Sequence, residues 1–156
     1  MQFQEMQWLF PIAVTLHNSE EAFYMPQWVS AHAGQLPFHP GAAKIRFGLL
    51  LLTLAAFAVT YLSAQKGKRS VWAYLLFGSA AAMLGNVFIP HIPATLVFGQ
   101  YTPGVVTAVL INLPVMSILL VRAVREQWVS GMKAFAYALL VPLAIGAAIS
   151  VLFAVA

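Results

Sequence analysis

Only four side chains in this sequence carry a carboxylate, and two of them, Glu20 and Glu21, are adjacent. His17 lies one helical turn before them. On an α-helix, residues at i, i+3 and i+4 share a face, so His17, Glu20 and Glu21 fall within an arc of roughly 100°. Imidazole and carboxylate groups at this spacing suit a zinc or iron site, of the kind that helix-borne Glu and His build in bundle cores. They also suit acid–base work, with one Glu as general base on a water. A plainer arrangement fits the same residues: the helix ends here and Glu20 and Glu21 reach toward water.

Further groups could join them. His91, five positions after Asn86, is a candidate fourth ligand beside His17, Glu20 and Glu21, or a general base. Asn86 would then orient substrate or ligand; alternatively the two cap a helix end. Tyr101 could donate a hydrogen bond near the site, although Tyr at a membrane interface is ordinary. The catalytic candidates are therefore Glu20, Glu21, His91, Asn86 and Tyr101. Asn112, deep in an apolar run, needs a partner. Arg46 is a possible counter-charge for Glu20 or Glu21. His32 and His39 fall in a Pro- and Gly-containing loop, where histidines are more often solvated than liganding.

The elements that must carry these groups are membrane helices. The 156 residues are 62% hydrophobic and 8% charged, with a mean hydropathy of +0.85. A soluble domain carries about 25% charged residues, so the composition excludes one. Four uncharged runs, 47–64, 71–90, 103–121 and 134–156, are each long enough to cross a bilayer as a helix. A fifth span begins the chain: Trp8 and Trp28 lie 20 residues apart, roughly 30 Å along a helix, and read as its two interfacial anchors. Pro11 falls in its first turn and Pro26 is expected to mark its end. Pro114 is expected to kink span four. The small residues Gly78, Ala80, Ala81, Ala82 and Gly85, and Gly146, Ala147 and Ala148, read as close helix-packing surfaces. The expectation is one all-α domain over 1–156, a polytopic membrane bundle of about five transmembrane helices.

Six of the eight basic residues fall in the loops after spans two and four. With alternating spans these loops share a side, which the positive-inside rule makes cytoplasmic. The N-terminus is then cytoplasmic, in a bacterial inner membrane, and the polar candidates lie in the extracytoplasmic half. The N-terminus lacks the pattern of a cleaved signal peptide. The net charge of +4 reflects few acids rather than a basic patch, so no nucleic-acid partner is expected. With no Cys, disulfide and thiolate chemistry is excluded.

At these residues the chain resembles the family of small integral membrane proteins named for its His-x-x-Glu-Glu motif, which His17, Glu20 and Glu21 supply. Asn86 and His91 look like a second pattern of that family, Asn followed by His at the end of a later helix. Tyr101, Pro103, Gly104 and Thr107 look like a third, Tyr-x-Pro-Gly-x-x-Thr. The resemblance runs from the first span to the fourth and implies which residues matter; the polar motifs suggest a membrane enzyme without naming its reaction. A second likeness, to intramembrane proteases that process prenylated proteins, fails where an Arg is expected after the Glu pair and Ala22-Phe23-Tyr24-Met25 stands instead.

The function expected is a membrane enzyme, a hydrolase using a divalent metal (zinc or iron) on an apolar or lipid-like substrate at the extracytoplasmic side. The alternative is a proton- or cation-coupled transporter or channel subunit using Glu20 and Glu21, and a third reading is a structural subunit whose polar cluster meets a partner. Membrane lipid surrounds the chain in each case, and a homo-oligomer is open to it.

Overall fold

A backbone that crosses a bilayer must satisfy its own N–H and C=O groups, which a helix does within one segment. The computed structural model describes residues 2–36 and 40–154, and among them there is no strand. A short α1 (Phe3–Met6) leads into α2 (Leu9–Ala31) and α3 (Ala42–Lys66). Next come α4 (Val71–Asn86), a π-helical segment (Val87–His91) and α5 (Ile92–Phe98). Then follow α6 (Val105–Thr107), a second π segment (Ala108–Asn112), α7 (Leu113–Arg125) and α8 (Gly131–Ala154).

Four continuous stretches are long and apolar enough to cross a membrane: Ala42–Lys66, Val71–Phe98, Val105–Arg125 and Gly131–Phe153. The first long helix, α2, has 23 residues and so the length to span, roughly 34 Å. Its polar motif makes it less apolar than the other four. The chain is thus a polytopic membrane bundle of four to five spanning helices. Its helices run alternately between two ends: one holds the His17 motif, and the other holds the basic turns around Lys68 and Arg125.

Packing follows residue size. Helix α4 lies between α8 on one side and α3 and α7 on the other, while α2 rests on α3 and the second π segment. A Cβ on Gly78 would sit 2.5 Å from the Tyr137 carbonyl and 2.7 Å from Val141, so glycine lets α4 and α8 meet closely. Gly85 and Gly146 have open space around the same position, so that expectation holds for Gly78 and buried Ala80 but not for these two glycines. Beyond Ala134, α8 has no buried residue among the described ones, so it packs on α4 with one face and exposes the rest. Five hydroxyls inside the spans are satisfied locally: Thr15, Ser19, Thr53, Thr60 and Ser117 each donate to the carbonyl four residues back, a local bond open to Ser and Thr in helices. The buried Ser63 hydroxyl has no partner among the described residues.

Prolines account for the departures from the expected boundaries. Pro26 does not end α2, which runs on to Ala31. Proline frees the carbonyl four residues before it, here that of Ala22, and Arg46 Nε donates to it at 3.2 Å. Arg46 is therefore a cap for a broken helical bond; among the described residues it forms no ion pair with Glu20 or Glu21. Span three does not stop at Pro90 either. It turns at Ile89, whose backbone is extended (φ −147°, ψ 111°), and continues to Phe98. Pro114 follows directly on the second π segment, a common site of helix irregularity beside functional groups.

Candidate metal and acid–base site

The second π segment packs against α2, and the first, packed against the second, brings His91 to His17 and Glu21. Between α5 and α6 the loop closes on two left-handed glycines, Gly99 (φ 63°) and Gly104 (φ 90°). Gly104 is the tightest position in the molecule for the site. A Cβ there would stand 2.4 Å from His91 Cε1, 3.0 Å from His17 Cε1 and 3.0 Å from Glu21 Oε1. Its positive φ also disfavours any L side chain.

The two adjacent glutamates have separate surroundings. Glu20 points at the start of the fourth span. Its Oε1 accepts from the Tyr101 hydroxyl at 2.6 Å and the Gly104 N–H at 3.1 Å. Its Oε2 accepts from the Thr107 N–H at 2.9 Å and the Thr107 hydroxyl at 2.6 Å. Four donors therefore occupy the carboxylate, two of them backbone N–H groups of a first helical turn, which lack partners within their own helix. Glu20 caps one helix from another. Tyr101 is held by the same bond. Its hydroxyl is pushed well above the ordinary phenol range by burial and by the Glu20 carboxylate that accepts its proton, so Tyr101 stays a donor.

Glu21 points instead at the two histidines. Its Oε1 lies 3.7 Å from His17 Nε2 and 3.5 Å from His91 Nε2. The candidate ligand atoms of the three residues all lie within 4.8 Å of one another. Both imidazoles are buried, and the rings meet edge to face with centroids 4.9 Å apart. The structure thus brings together His17, Glu21 and His91 of the four expected ligands, and sets Glu20 apart as the cap.

Hydrogen-bond inventory fixes which nitrogens carry protons. The Thr107 hydroxyl has one proton and gives it to Glu20. His17 Nδ1, 2.9 Å from Thr107 Oγ1, must then donate, which leaves a lone pair on His17 Nε2. The Asn86 amide Nδ2 donates into that lone pair at 3.3 Å and into His91 Nε2 at 3.0 Å. So two imidazole lone pairs and a carboxylate oxygen converge. Among the described residues no Lys or Arg pairs with Glu21, whose neighbours are the two imidazoles.

Two contacts escape a reading of the sequence. Asn18, inside the motif, donates to the Leu49 carbonyl at 3.1 Å and to Thr53 Oγ1 at 2.8 Å, tying α2 to α3. Thr107 sets the His17 tautomer, a role its position alone does not reveal. Asn112 is fully buried, and neither amide atom has a partner among the described residues. His32 stacks on Trp28, with ring centroids 4.4 Å apart. It is bonded to the Trp28 carbonyl and to Gln100, away from the cluster; His39 lies outside the described residues. Beside Glu20, a cavity of about 490 Å³ lined by Glu20, Tyr24, Tyr101, Val106 and Thr107 opens on the flank of the bundle.

Residues 8–119 match the family described as "Protein of unknown function with HXXEE motif". The chain belongs to that family. The matched range runs from the start of α2 into α7 and contains every group of the site, while α8 falls outside it. The chain is also similar to the "Uncharacterized protein YrkK" of Bacillus subtilis (strain 168), at 27% identity over 146 residues, 94% of this chain and 92% of that protein. No solved structure matches this HXXEE-family chain.

Proposed function

We propose that this HXXEE-family chain is a metal-dependent membrane hydrolase, with a divalent ion held by His17 Nε2, His91 Nε2 and Glu21 Oε1. One observation carries the reading: a carboxylate oxygen faces two imidazole lone pairs at 3.5 and 3.7 Å with no Lys or Arg paired to it among the described residues. Such a grouping calls for a positive charge between its members. In a tetrahedral zinc site, ligand atoms about 2.0–2.2 Å from the ion stand about 3.3 Å from one another. Glu21 needs to close a few tenths of an ångström on each histidine, and the three ligand atoms, now within 4.8 Å of one another, must draw together around the ion. Imidazole suits zinc and iron alike. A bound ion would supply a water acidified enough to attack at neutral pH.

The chain's own groups divide the remaining work. Thr107 and Glu20 hold His17 in the tautomer that leaves Nε2 open, as the outer partner of a metal-bound histidine does. The Asn86 amide competes with an ion for both lone pairs; turned about its last torsion, it presents Oδ1 to the ion or to a substrate carbonyl. The flank cavity beside Glu20 and Tyr101, lined also by Tyr24 and Val106, favours an apolar or lipid-like substrate. Six of the eight basic residues lie in or beside the two turns at the opposite end, so by the positive-inside rule we take the N-terminus to be in the cytoplasm of a bacterial inner membrane and the site in the outer half.

Elemental analysis of detergent-purified chain tests the reading. The expected result is close to one zinc or iron per chain, lost in His17→Ala, Glu21→Gln and His91→Ala variants that keep their helical circular dichroism. Metal-free, well-folded protein purified without chelator sinks the metalloenzyme and leaves the same groups as an acid–base or proton site. A panel of ester- and amide-linked apolar substrates, assayed with and without added metal, then tests hydrolysis itself.

A further inference from the structure

The opposite end of the bundle holds a second built cavity. It has a volume of about 490 Å³ and is lined by Gln2, Lys68, Arg122, Arg125 and Glu126. Three segments distant in sequence meet there: the N-terminus, the turn between α3 and α4, and the end of α7. Glu126 joins two of them, accepting from the Phe3 N–H at 2.8 Å and from Arg122 through Nε at 2.7 Å and Nη2 at 2.6 Å. The Arg69 N–H donates to the Trp128 carbonyl at 2.8 Å and fixes the third. The Phe3 and Trp128 rings pack 5.1 Å apart at the same end. Backbone and ion-pair contacts thus hold the three segments together, while the exposed side chains of Gln2, Lys68 and Arg125 line the opening.

Its charge is unbalanced. Arg122 is engaged with Glu126, so the single acid of the cavity is already matched, and Lys68 and Arg125 add two further positive charges. Eighteen residues separate Thr107 from Arg125, roughly 27 Å of helix, so this cavity is independent of the His17 cluster. Basic pockets at the interfacial end of a membrane helix suit an anionic phosphate group.

We propose that this cavity binds a phosphate anion, with Lys68 and Arg125 as its charge partners and Arg122, oriented by Glu126, at its wall. The two sources of that chemistry are the headgroup of an anionic phospholipid and free phosphate. The first fits the position of the cavity at the membrane boundary.

The test uses the full chain in neutral detergent, with Kd measured for short-chain phosphatidylglycerol, short-chain phosphatidylcholine and inorganic phosphate. Phosphatidylglycerol is expected to bind well ahead of phosphatidylcholine. Replacing both Lys68 and Arg125 by Gln should weaken it by roughly tenfold or more, at about 1 kcal/mol for each basic residue near a membrane surface. Lys66→Gln with Lys133→Gln removes the same charge from the same end outside the cavity and should leave Kd within about twofold. Binding of inorganic phosphate that also depends on Lys68 and Arg125 supports the site and assigns it to the free anion. Equal losses in the two double variants, or no preference for either anion over phosphatidylcholine, overturn the proposal by reducing the effect to diffuse surface charge.

Discussion

Glu126 and Glu20 are both carboxylates that fasten one segment to another, at opposite ends of the bundle, and they do so with different partners. At the basic end, near water, Glu126 is matched by the Arg122 guanidinium and by one backbone N–H. At the motif end, Glu20 has no Lys or Arg paired to it among the described residues; two backbone N–H groups and two hydroxyls surround it. A long cation can reach a carboxylate at a surface at little cost. Within the bundle an Arg or Lys would itself have to be desolvated, so the negative charge is met by dipoles already in place at a helix start. The lesson extends to Glu21. With its neighbour taking the available donors, Glu21 is left facing the two imidazoles, with no Lys or Arg paired to it among the described residues.

Substitutions can break this contrast. The largest effect is expected from Gly104→Ala, which drives a methyl group to 2.4 Å from His91 Cε1 at a φ of 90°. A loss of about 3 kcal/mol in stability, from combined backbone strain and overpacking, should accompany loss of bound metal; thermal unfolding in detergent and elemental analysis read the two together. Glu20→Ala comes next. It strands two backbone N–H groups and should cost about 2 kcal/mol, whereas Glu21→Gln, which strands none, should leave the unfolding temperature nearly unchanged while emptying the metal site. If the two glutamates prove equally costly to remove, their division into cap and ligand is wrong.

Thr107→Val keeps the shape of the side chain and removes the hydroxyl between Glu20 and His17. The tautomer of His17 is then no longer fixed, and metal affinity should fall by about 10- to 100-fold, as for other outer partners of liganding histidines, with a stability loss near 1 kcal/mol. A metal titration checks this, and unchanged affinity would remove Thr107 from the site. The smallest effect belongs to the other end. The Phe3 N–H, with Arg122 and Lys68 nearby, holds the Glu126 carboxyl below the usual carboxylate range. A group whose acidity is raised by folding contributes stability above its unfolded pKa and loses it as the pH falls. Glu126→Gln should therefore be slightly less stable than the parent at neutral pH, with the gap closing at acid pH. Unfolding temperatures measured across that range decide it, and a gap that persists in acid would assign the effect to shape rather than charge.

The membrane class, the helical bundle and the grouping of His17 with Glu21 could be read from the chain because each depends on local pattern. A run of apolar residues long enough to span a bilayer has one stable backbone arrangement there, and a spacing of four puts two side chains on one face. Other features depended on partners distant in sequence. The sequence treats Glu20 and Glu21 as a pair; only the arrival of Gly104 and Thr107, more than 80 positions later, separates them. Pro26 reads as a terminator by itself, and it is overridden because Arg46 on the next helix takes the carbonyl it frees. Tyr101 reads as an interfacial anchor or a substrate donor, and the carboxylate it serves is set by how α2 meets the fourth span. The sequence by itself determined which groups enter the membrane and on which helix face each lies. Tertiary packing alone decided their protonation and their roles, because in a bundle interior a polar group takes its chemistry from whichever donor or acceptor reaches it first.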